Sequence, residues 1–406
     1  MIHDRTLSLF DAYGIELEYM LVDRETLDVR AVADRVLTTA AGKPSSDVEF
    51  GDATYSNELA LHVLELKGTR PTPDLNHLNR QMQQAIQQIQ PALSTHGAML
   101  LPGGMHPWMD PKTETRLWPH ECSEIYQAYD RVFDCHRHGW ANVQSVHLNL
   151  PFDGDDQFAR LHAAVRLILP LLPAIAASSP IVEGRPAAWA DMRMHFVRDH
   201  CEAVPFLTGQ MVPEAIFDEA TYRREIFTKL QQAIGGHDPD GVFECDFLNA
   251  RGAIARFDRG SIEIRVMDVQ EYPGADLAIC QLVIDVLKSM VDQKWSTLAD
   301  QQAMPTPLLS GWLDRISQST ERTVIDDPTW LRHFGVSEPS IQAGEVWKRL
   351  ANAVGTDRPE LDPILTQGTL STRILSAVNQ DWRREHITEV YRRLGDCLAG
   401  GQPFLP

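Results

Sequence analysis

The chain has 406 residues, 43% of them hydrophobic and 23% charged, and carries a formal charge of −19, with 37 Lys and Arg against 56 Asp and Glu. That length holds one large or two to three ordinary domains, and the composition supplies a sizeable core and argues against extensive disorder. The acidic balance argues against a nucleic-acid-binding surface, which needs clustered Lys and Arg, but leaves room for anionic ligands held by a few arginines or by bound cations.

No stretch reaches about 18 uninterrupted apolar residues; 167–178 comes nearest and contains Pro170 and Pro173, so no membrane span is expected. Met1-Ile2-His3-Asp4-Arg5 lacks the basic-then-apolar pattern of a secretory leader. The cysteines at 122, 135, 201, 245, 280 and 397 form no Cys-x-x-Cys pair. That suits free thiols in a reducing cytoplasm and weakens a zinc-ribbon or disulfide reading.

Along the chain, 13–22 reads as a strand, strongly apolar but interrupted by Glu16 and Glu18, and 59–66 as a second. A helix is predicted over 74–96 with Asp74 as its N-cap. Residues 99–101 read as a short buried strand stopped by Pro102-Gly103-Gly104. Helices are expected over 121–140, over 155–176 with a proline kink, and over 213–234; strands are expected over 144–150 and 262–269, followed by an amphipathic helix over 274–291. Beyond about residue 295 the strand signals stop, and helices joined by proline-containing loops remain. The reading is therefore an α+β fold in two parts, a mixed body over 1–294 and a helical C-terminal extension over 295–406, without internal repeats.

Three of these strands carry ionisable residues on one face. Alternation puts Ile15, Leu17 and Tyr19 on one side of the first strand and Glu16 and Glu18 on the other. The same pattern sets His147 and Asn149 opposite Val146, Leu148 and Leu150, and Glu263 and Arg265 opposite Ile262, Ile264 and Val266. One reading is a sheet with a solvated face; the other is a lined cavity. In a cavity, several carboxylates repel and raise each other's pKa unless cations relieve them. Oxygen ligands with one imidazole suit Mg²⁺ or Mn²⁺, ions that commonly serve phosphate chemistry. Glu58 and Glu65 stand seven apart, which fits two helical turns and not one strand face. If 59–66 is a strand its two ends are arranged differently, and Glu65, inside an apolar run, is the better ligand candidate.

In this order, 14–23 (Gly-Ile-Glu-Leu-Glu-Tyr-Met-Leu-Val-Asp), Glu58 with 64–67 (Leu-Glu-Leu-Lys), 104–107 (Gly-Met-His-Pro), 145–149 (Ser-Val-His-Leu-Asn), 176–180 (Ala-Ala-Ser-Ser-Pro) with Arg193, and 260–268 (Gly-Ser-Ile-Glu-Ile-Arg-Val-Met-Asp) resemble the glutamate–cysteine ligase superfamily of ATP-dependent carboxylate–amine ligases, its second-type bacterial family above all. The resemblance covers about residues 10–290, and the 260–268 block is its most specific part. It implies a curved antiparallel sheet of glutamine-synthetase type, with the active site on the concave face and helices outside. It also implies that ATP activates a carboxylate, that an amine attacks the acyl phosphate, and that an amide, ADP and phosphate result. In the best-known members the acid is the γ-carboxyl of glutamate and the amine is cysteine, the entry to glutathione synthesis. The expected partners are thus small molecules (an amino acid, an amine and ATP), with no nucleic acid and no membrane; a homodimer is only the base-rate assembly.

Matched residue by residue, Glu16, Glu18, Glu58, Glu65, His147 and Glu263 correspond to the family's ligands for Mg²⁺ or Mn²⁺. Glu263 and Arg265 form the catalytic pair, with Arg265 stabilising the phosphoryl group in transfer. Asn149, Ser179 and Arg193 match segments that contact substrate or nucleotide, although 178–180 and Arg193 taken alone read as a helix exit and a surface arginine. Arg256 is assigned to substrate or nucleotide across a gap, with Arg251 and Arg259 as alternatives. His106 either touches a substrate or caps a turn. Two departures stand out: Ser145 replaces a histidine common in the second-type family, and Leu17 replaces the middle acid of the first strand, where it would point away from the site. The resemblance stops near residue 295.

Other conspicuous residues carry less. Cys135-His136-Arg137-His138 reads as a surface helix, whose consecutive side chains diverge. His120-Glu121-Cys122 lacks His-Glu-x-x-His spacing, and 235–241 reads as a surface turn, with closure over ATP as the alternative. No Gly-x-x-x-x-Gly-Lys loop is present, so nucleotide would be held by cations and the sheet. The competing functions are a phosphotransferase resembling guanidino kinases and a non-catalytic ligand-binding relative.

Overall fold

The computed structural model describes residues 7–239, 241–243 and 245–406. Residues 1–5, Asp240 of the 235–241 turn and the side chain of Cys245 lie outside the described residues, and with them the leader and sixth-thiol readings. The other five cysteines are free.

An eight-stranded antiparallel sheet forms the centre. Its strands begin with β1 (Gly14–Asp23), β2 (Asp47–Phe50), β3 (Ala53–Asn57), β4 (Val63–Gly68), β5 (Ala98–Leu101) and β6 (Ser145–Pro151). A separate small hairpin follows, β7 (Ile181–Val182) with β8 (Arg185–Pro186), and the sheet resumes with β9 (Ala253–Arg256) and β10 (Ser261–Asp268). The lateral order is β2-β3-β4-β1-β6-β10-β9, with β5 paired to the last residues of β1. One face is apolar: Leu17, Tyr19, Leu64, Leu66, Leu148 and Ile264 are buried in a single core. Helices Leu75–Thr95 and Pro273–Val291 belong to that core through Leu78, Met82, Ile86 and Ile89 and through Leu282, Val283 and Val286. Asp74 caps the first of these as expected, its carboxylate accepting the His77 backbone N–H.

The strands bearing Glu16, His147 and Glu263 form where alternation placed them. Elsewhere the structure differs. The strand expected over 59–66 begins only at Val63, because Leu61 and Leu59 bond outward to the backbone of Arg116 and Trp118. Glu58 therefore precedes the strand and Glu65 lies within it. The helix expected over 121–140 is two, Ser123–Phe133 and His138–Ala141. Asp134 adopts φ 55°, and the Asp130 carboxylate takes the Cys135 N–H. Cys135, His136 and Arg137 are therefore not helical, and the surface-helix reading of that stretch is corrected. In the 213–234 stretch helix starts at Glu219, capped by Asp218, and passes through a π-helical turn, Arg223–Phe227. The expected proline kink is present: Gly154–Ile168 gives way to a 3₁₀ turn, Leu169–Leu171, and then to Pro173–Ala176.

The C-terminal region is helical apart from one two-stranded ladder, β11 (Val324–Ile325) with β12 (Ile341–Gln342). It shares the main core. The Trp330 and Trp347 indoles donate to the carbonyls of Leu167 and Leu171, at the proline-containing turn. Arg373 and Glu271 form a fully buried ion pair at 2.6 Å, and Arg373 also bonds the Phe404 carbonyl. No helix of the described residues is long and apolar enough to cross a membrane.

Candidate active site on the polar face of the sheet

The pairing register gathers the ionisable residues. Opposite residues of an antiparallel pair share a face. Glu16 lies opposite Lys67 on β4 and His147 on β6; Glu18 lies opposite Glu65; Glu263 lies opposite Asn149. One centre forms around His147. Its Nδ1 is 3.0 Å from Glu16 Oε2 and 3.7 Å from Glu263 Oε1, and ligand atoms of these three residues all lie within 4.8 Å of one another. Asn149 donates to the second oxygen of Glu16 at 3.2 Å.

The two oxygens of Glu263 are held separately, Oε2 by Arg256 Nε at 2.8 Å and Oε1 by Arg265 at 2.9 Å. Burial would raise the Glu263 carboxyl, but Arg265, His147 and Arg256 outweigh it and hold it at about 2. A β-bulge between Ile264 and Met267 sets Arg265 and Val266 against His147 alone. Such a bulge re-aims a side chain, and the Arg265 N–H here bonds the Gly252 carbonyl.

A second group of acids adjoins the first. Ser145 donates from its backbone N–H (2.6 Å) and its hydroxyl (2.8 Å) to Glu18 Oε2, and the same hydroxyl lies 2.9 Å from His147 Nε2. Glu65 takes hydrogen bonds from Ser56 and Lys67. Burial, then the charges of Glu65 and Glu18, pushes the Glu58 carboxyl well up; burial and Glu16 raise Glu65. This is the electrostatic stress that a bound cation relieves. The oxygen–imidazole–oxygen set of Glu16, His147 and Glu263 fits Mg²⁺ or Mn²⁺ by donor chemistry.

Two cavities adjoin the centre. One of about 420 Å³ is lined by Glu18, Glu58, His147, Arg193, Arg256 and Arg265, with walls of Tyr126, Tyr129 and Trp140. The other, about 220 Å³, is lined by Gly14, Glu16, Lys67, Asn149, Arg259 and Ser261. A third cavity, of about 720 Å³, has none of these acids in its lining, which includes His136, His138 and His195 and shares Gly139 and His200 with the 420 Å³ cavity.

Of the residues singled out from sequence, Glu16, His147, Glu263, Arg265, Arg256 and Asn149 converge on one centre, with Glu18, Glu58 and Glu65 beside it. Of the three arginines before Gly260, only Arg256 reaches Glu263; Arg251 is bound through two nitrogens to Glu214, and Arg259 stands at the smaller cavity. Ser179 and Arg193 are both bound to Asp268, although Arg193 also lines the larger cavity. Arg193 Nε is tied to the buried Asp268, and Ser179 donates to the same carboxylate while accepting the Arg193 N–H. Ser179 is fully buried and lines neither cavity. His106 is buried away from the acids, its Nε2 2.7 Å from the Leu27 carbonyl and its Nδ1 accepting the Trp108 N–H at 3.3 Å; burial lowers its pKa to about 4. Lys67 and Asp268 carried a usable sequence signal, each lying on a strand read from the sequence or just beyond it, with Lys67 two residues from Glu65; Ser56, on the short β3, carried none.

Comparison with known proteins follows the same lines. The description of glutamate–cysteine ligase family 2 matches residues 12–392. An uncharacterized protein of Archaeoglobus fulgidus is 32% identical over 396 residues, 97% of this chain and 100% of that one. Among solved structures, a glutamate–cysteine ligase from Francisella tularensis in complex with AMP superposes with a TM-score of 0.54 at 15% identity, over 97% of this chain and 90% of that one. A bifunctional glutathione synthetase from Pasteurella multocida superposes with a TM-score of 0.64 at 13% identity; it covers 95% of this chain, which spans about half (52%) of that protein. At these identities the two structures speak to the fold alone. The match across residues 12–392 decides the family: the chain belongs to glutamate–cysteine ligase family 2.

Proposed function

We propose that the protein is a cytoplasmic, ATP-dependent carboxylate–amine ligase that joins the γ-carboxyl of glutamate to cysteine or another small amine. The observation that supports this best is the Glu16–His147–Glu263 centre, with Arg265 and Arg256 on its third member and a cavity on each side. A divalent cation held by Glu16, His147 and Glu263 would neutralise charge on the phosphate oxygens of ATP.

In this reading the chain's own residues do the following. Arg265, anchored on Glu263 and lining the larger cavity, meets the phosphoryl group as its charge spreads. Arg256 fixes the other oxygen of Glu263, so that carboxylate keeps its place as charge moves past it. Asn149 and His147 orient the two oxygens of Glu16. Tyr126, Tyr129 and Trp140 give the larger cavity aromatic walls, which would shield an acyl phosphate from water until the amine attacks.

The test is phosphate release from Mg-ATP with glutamate and a panel of amines, with the product identified by mass. An amide together with ADP supports the reading, and the amine that yields it names the second substrate. ADP formation with a phosphorylated guanidinium and no amide would replace it with a phosphotransferase. Binding of Mg-ATP without turnover on any pair would leave a ligand-binding relative.

A further inference from the structure

We propose that the amine this protein ligates is a primary amine with an aromatic or similarly bulky apolar group and no carboxylate, seated against Phe247 on the helical wall of the larger cavity. The inference rests on the ligase reading and narrows its second substrate.

The larger cavity has two unlike walls. Glu18, Ser145, His147, Arg256 and Arg265 come from the sheet, on β1, β6, β9 and β10. The other wall comes from helices Ser123–Phe133, His138–Ala141, Met192–Asp199 and Cys245–Leu248, and presents Ile125, Tyr126, Tyr129, Trp140, Val197 and Phe247. The polar ends of two of its rings are already engaged. Tyr129 Oη donates to the Phe247 carbonyl at 2.8 Å, and Trp140 Nε1 to the His200 carbonyl at 2.9 Å. Their ring faces remain for a ligand. The Tyr129 bond also holds the backbone of Phe247, whose ring is 55% exposed. A single exposed ring needs no explanation, but one that lines a cavity with five other apolar side chains is part of a binding surface.

This wall offers no counter-charge to a carboxylate. Arg251 lines the cavity, but its Nε and Nη2 are taken by Glu214 and its Nη1 by Asn249. Burial lowers His200 to about 4, so its ring is neutral. Arg193, Arg256 and Arg265 are held at β10 by Asp268 and Glu263. Lys67 and Arg259 give the smaller cavity cations suited to a nucleotide's phosphates, which leaves the larger to the acid and the amine. There the amine nitrogen bonds to the acyl carbon as phosphate leaves with the electron pair of the broken C–O bond, and nitrogen gives its proton to solvent. With nitrogen at the centre, the rest of the amine lies along the helical wall. A carboxylate there is desolvated without a partner, whereas an apolar group gains by leaving water. Cysteine brings a carboxylate and only one methylene and a thiol.

The experiment compares phenethylamine, ethylamine and cysteine on the full-length protein. Amide formation with Mg-ATP and glutamate gives kcat/KM for each, and saturation-transfer NMR without nucleotide gives binding. Wild type, Phe247→Ala and Val197→Phe are used, the last to narrow the cavity. We expect phenethylamine to exceed both others at least about tenfold, and Phe247→Ala to lower phenethylamine about three- to tenfold with ethylamine changed less than about twofold. Val197→Phe should lower phenethylamine more than ethylamine. Cysteine at or above phenethylamine, or variants that shift both amines equally, would overturn the inference and leave the ligase standing. Displacement of phenethylamine by AMP, with AMP itself weakened in Phe247→Ala, would make the wall a purine seat and overturn it too. If no amine yields an amide, the ligase reading falls; the expected binding order would then still uphold the wall's selectivity, and its absence would overturn both.

Discussion

Glu16 and His147 face each other across β1 and β6, with Oε2 and Nδ1 3.0 Å apart. The contact joins residues 131 positions apart, and it exists because the antiparallel register sets them directly opposite on one face. The two residues line different cavities, His147 the larger and Glu16 the smaller.

Glu263→Gln should lower turnover by at least about a hundredfold, the scale seen when preorganised charge stabilisation is lost. It also weakens charged hydrogen bonds from Arg256 and Arg265, which contribute about 1.5–3 kcal/mol each at most. Steady-state phosphate release together with a urea melt checks both effects. Near-normal turnover in a folded variant would remove Glu263 from the mechanism.

Stability should depend on pH with two opposite signs. Glu263 is held at about 2, below its usual 4.5. Its stabilisation is present above the unfolded value and is lost as the pH falls from 4.5 toward 2. Glu58 and Glu65 are raised, by burial first and then by neighbouring carboxylates. Their contribution is complete below the unfolded value of 4.5 and is lost as the pH rises through their folded values. His147, raised despite burial and Arg265 because Glu16, Glu18 and Glu263 outweigh them, has the same sign, its contribution being lost as the pH rises above the usual imidazole range. Cation-free protein should therefore melt lower as the pH rises from about 5 to about 8, and Mg²⁺ or Mn²⁺ should raise the melting temperature more at the upper end. Scanning fluorimetry with and without cation reads this; an equal cation effect at both ends would contradict it.

Asp268→Asn should destabilise the end of β10. Asp268 is buried and accepts from Arg193, Ser179 and the Ser178 N–H, so the change leaves Arg193 buried without its counter-charge, at a cost of about 3–5 kcal/mol. Gly104→Ala should act on the same carboxylate by a different route, because a Cβ at Gly104 collides with it; about 1–3 kcal/mol is expected. Urea denaturation of both single variants and the double variant should give less than additive losses, since both disturb one contact.

The Arg373–Glu271 pair tests how the C-terminal region is held. Arg373→Met alone leaves Glu271 buried and unpaired and should cost about 3–5 kcal/mol, whereas Arg373→Met with Glu271→Leu should recover much of that loss. Denaturation midpoints across the cycle report it. No recovery in the double variant would mean that the bonds of this pair to Phe404 matter more than its charges.

Alternation made β1, β6 and β10 legible, because a strand with one buried face must alternate, and three acids (Glu16, Glu18 and Glu263) and a histidine on the other face stand out against that rule. The β2–β3 hairpin and β9 were not legible: they are four or five residues long, and short runs carry too little periodicity. The break at Asp134 was hidden as well, since a carboxylate four residues earlier decides it by taking the Cys135 N–H.

Sequence by itself determined which residues could serve as ligands and which face of each strand they occupy, because side-chain chemistry and the two-residue period are local properties. Only the tertiary structure decided which of them meet. Strand order and register bring Glu16, His147 and Glu263 within reach of one another, the β10 bulge turns Arg265 toward them, and the choice of Arg256 over Arg251 depends on where Glu214 lies. The same packing keeps Arg193 with Asp268 and buries His106, because distant segments supply the partners of both. Pairing across 131 residues leaves no trace in spacing along the chain; it is set when the sheet closes over its core.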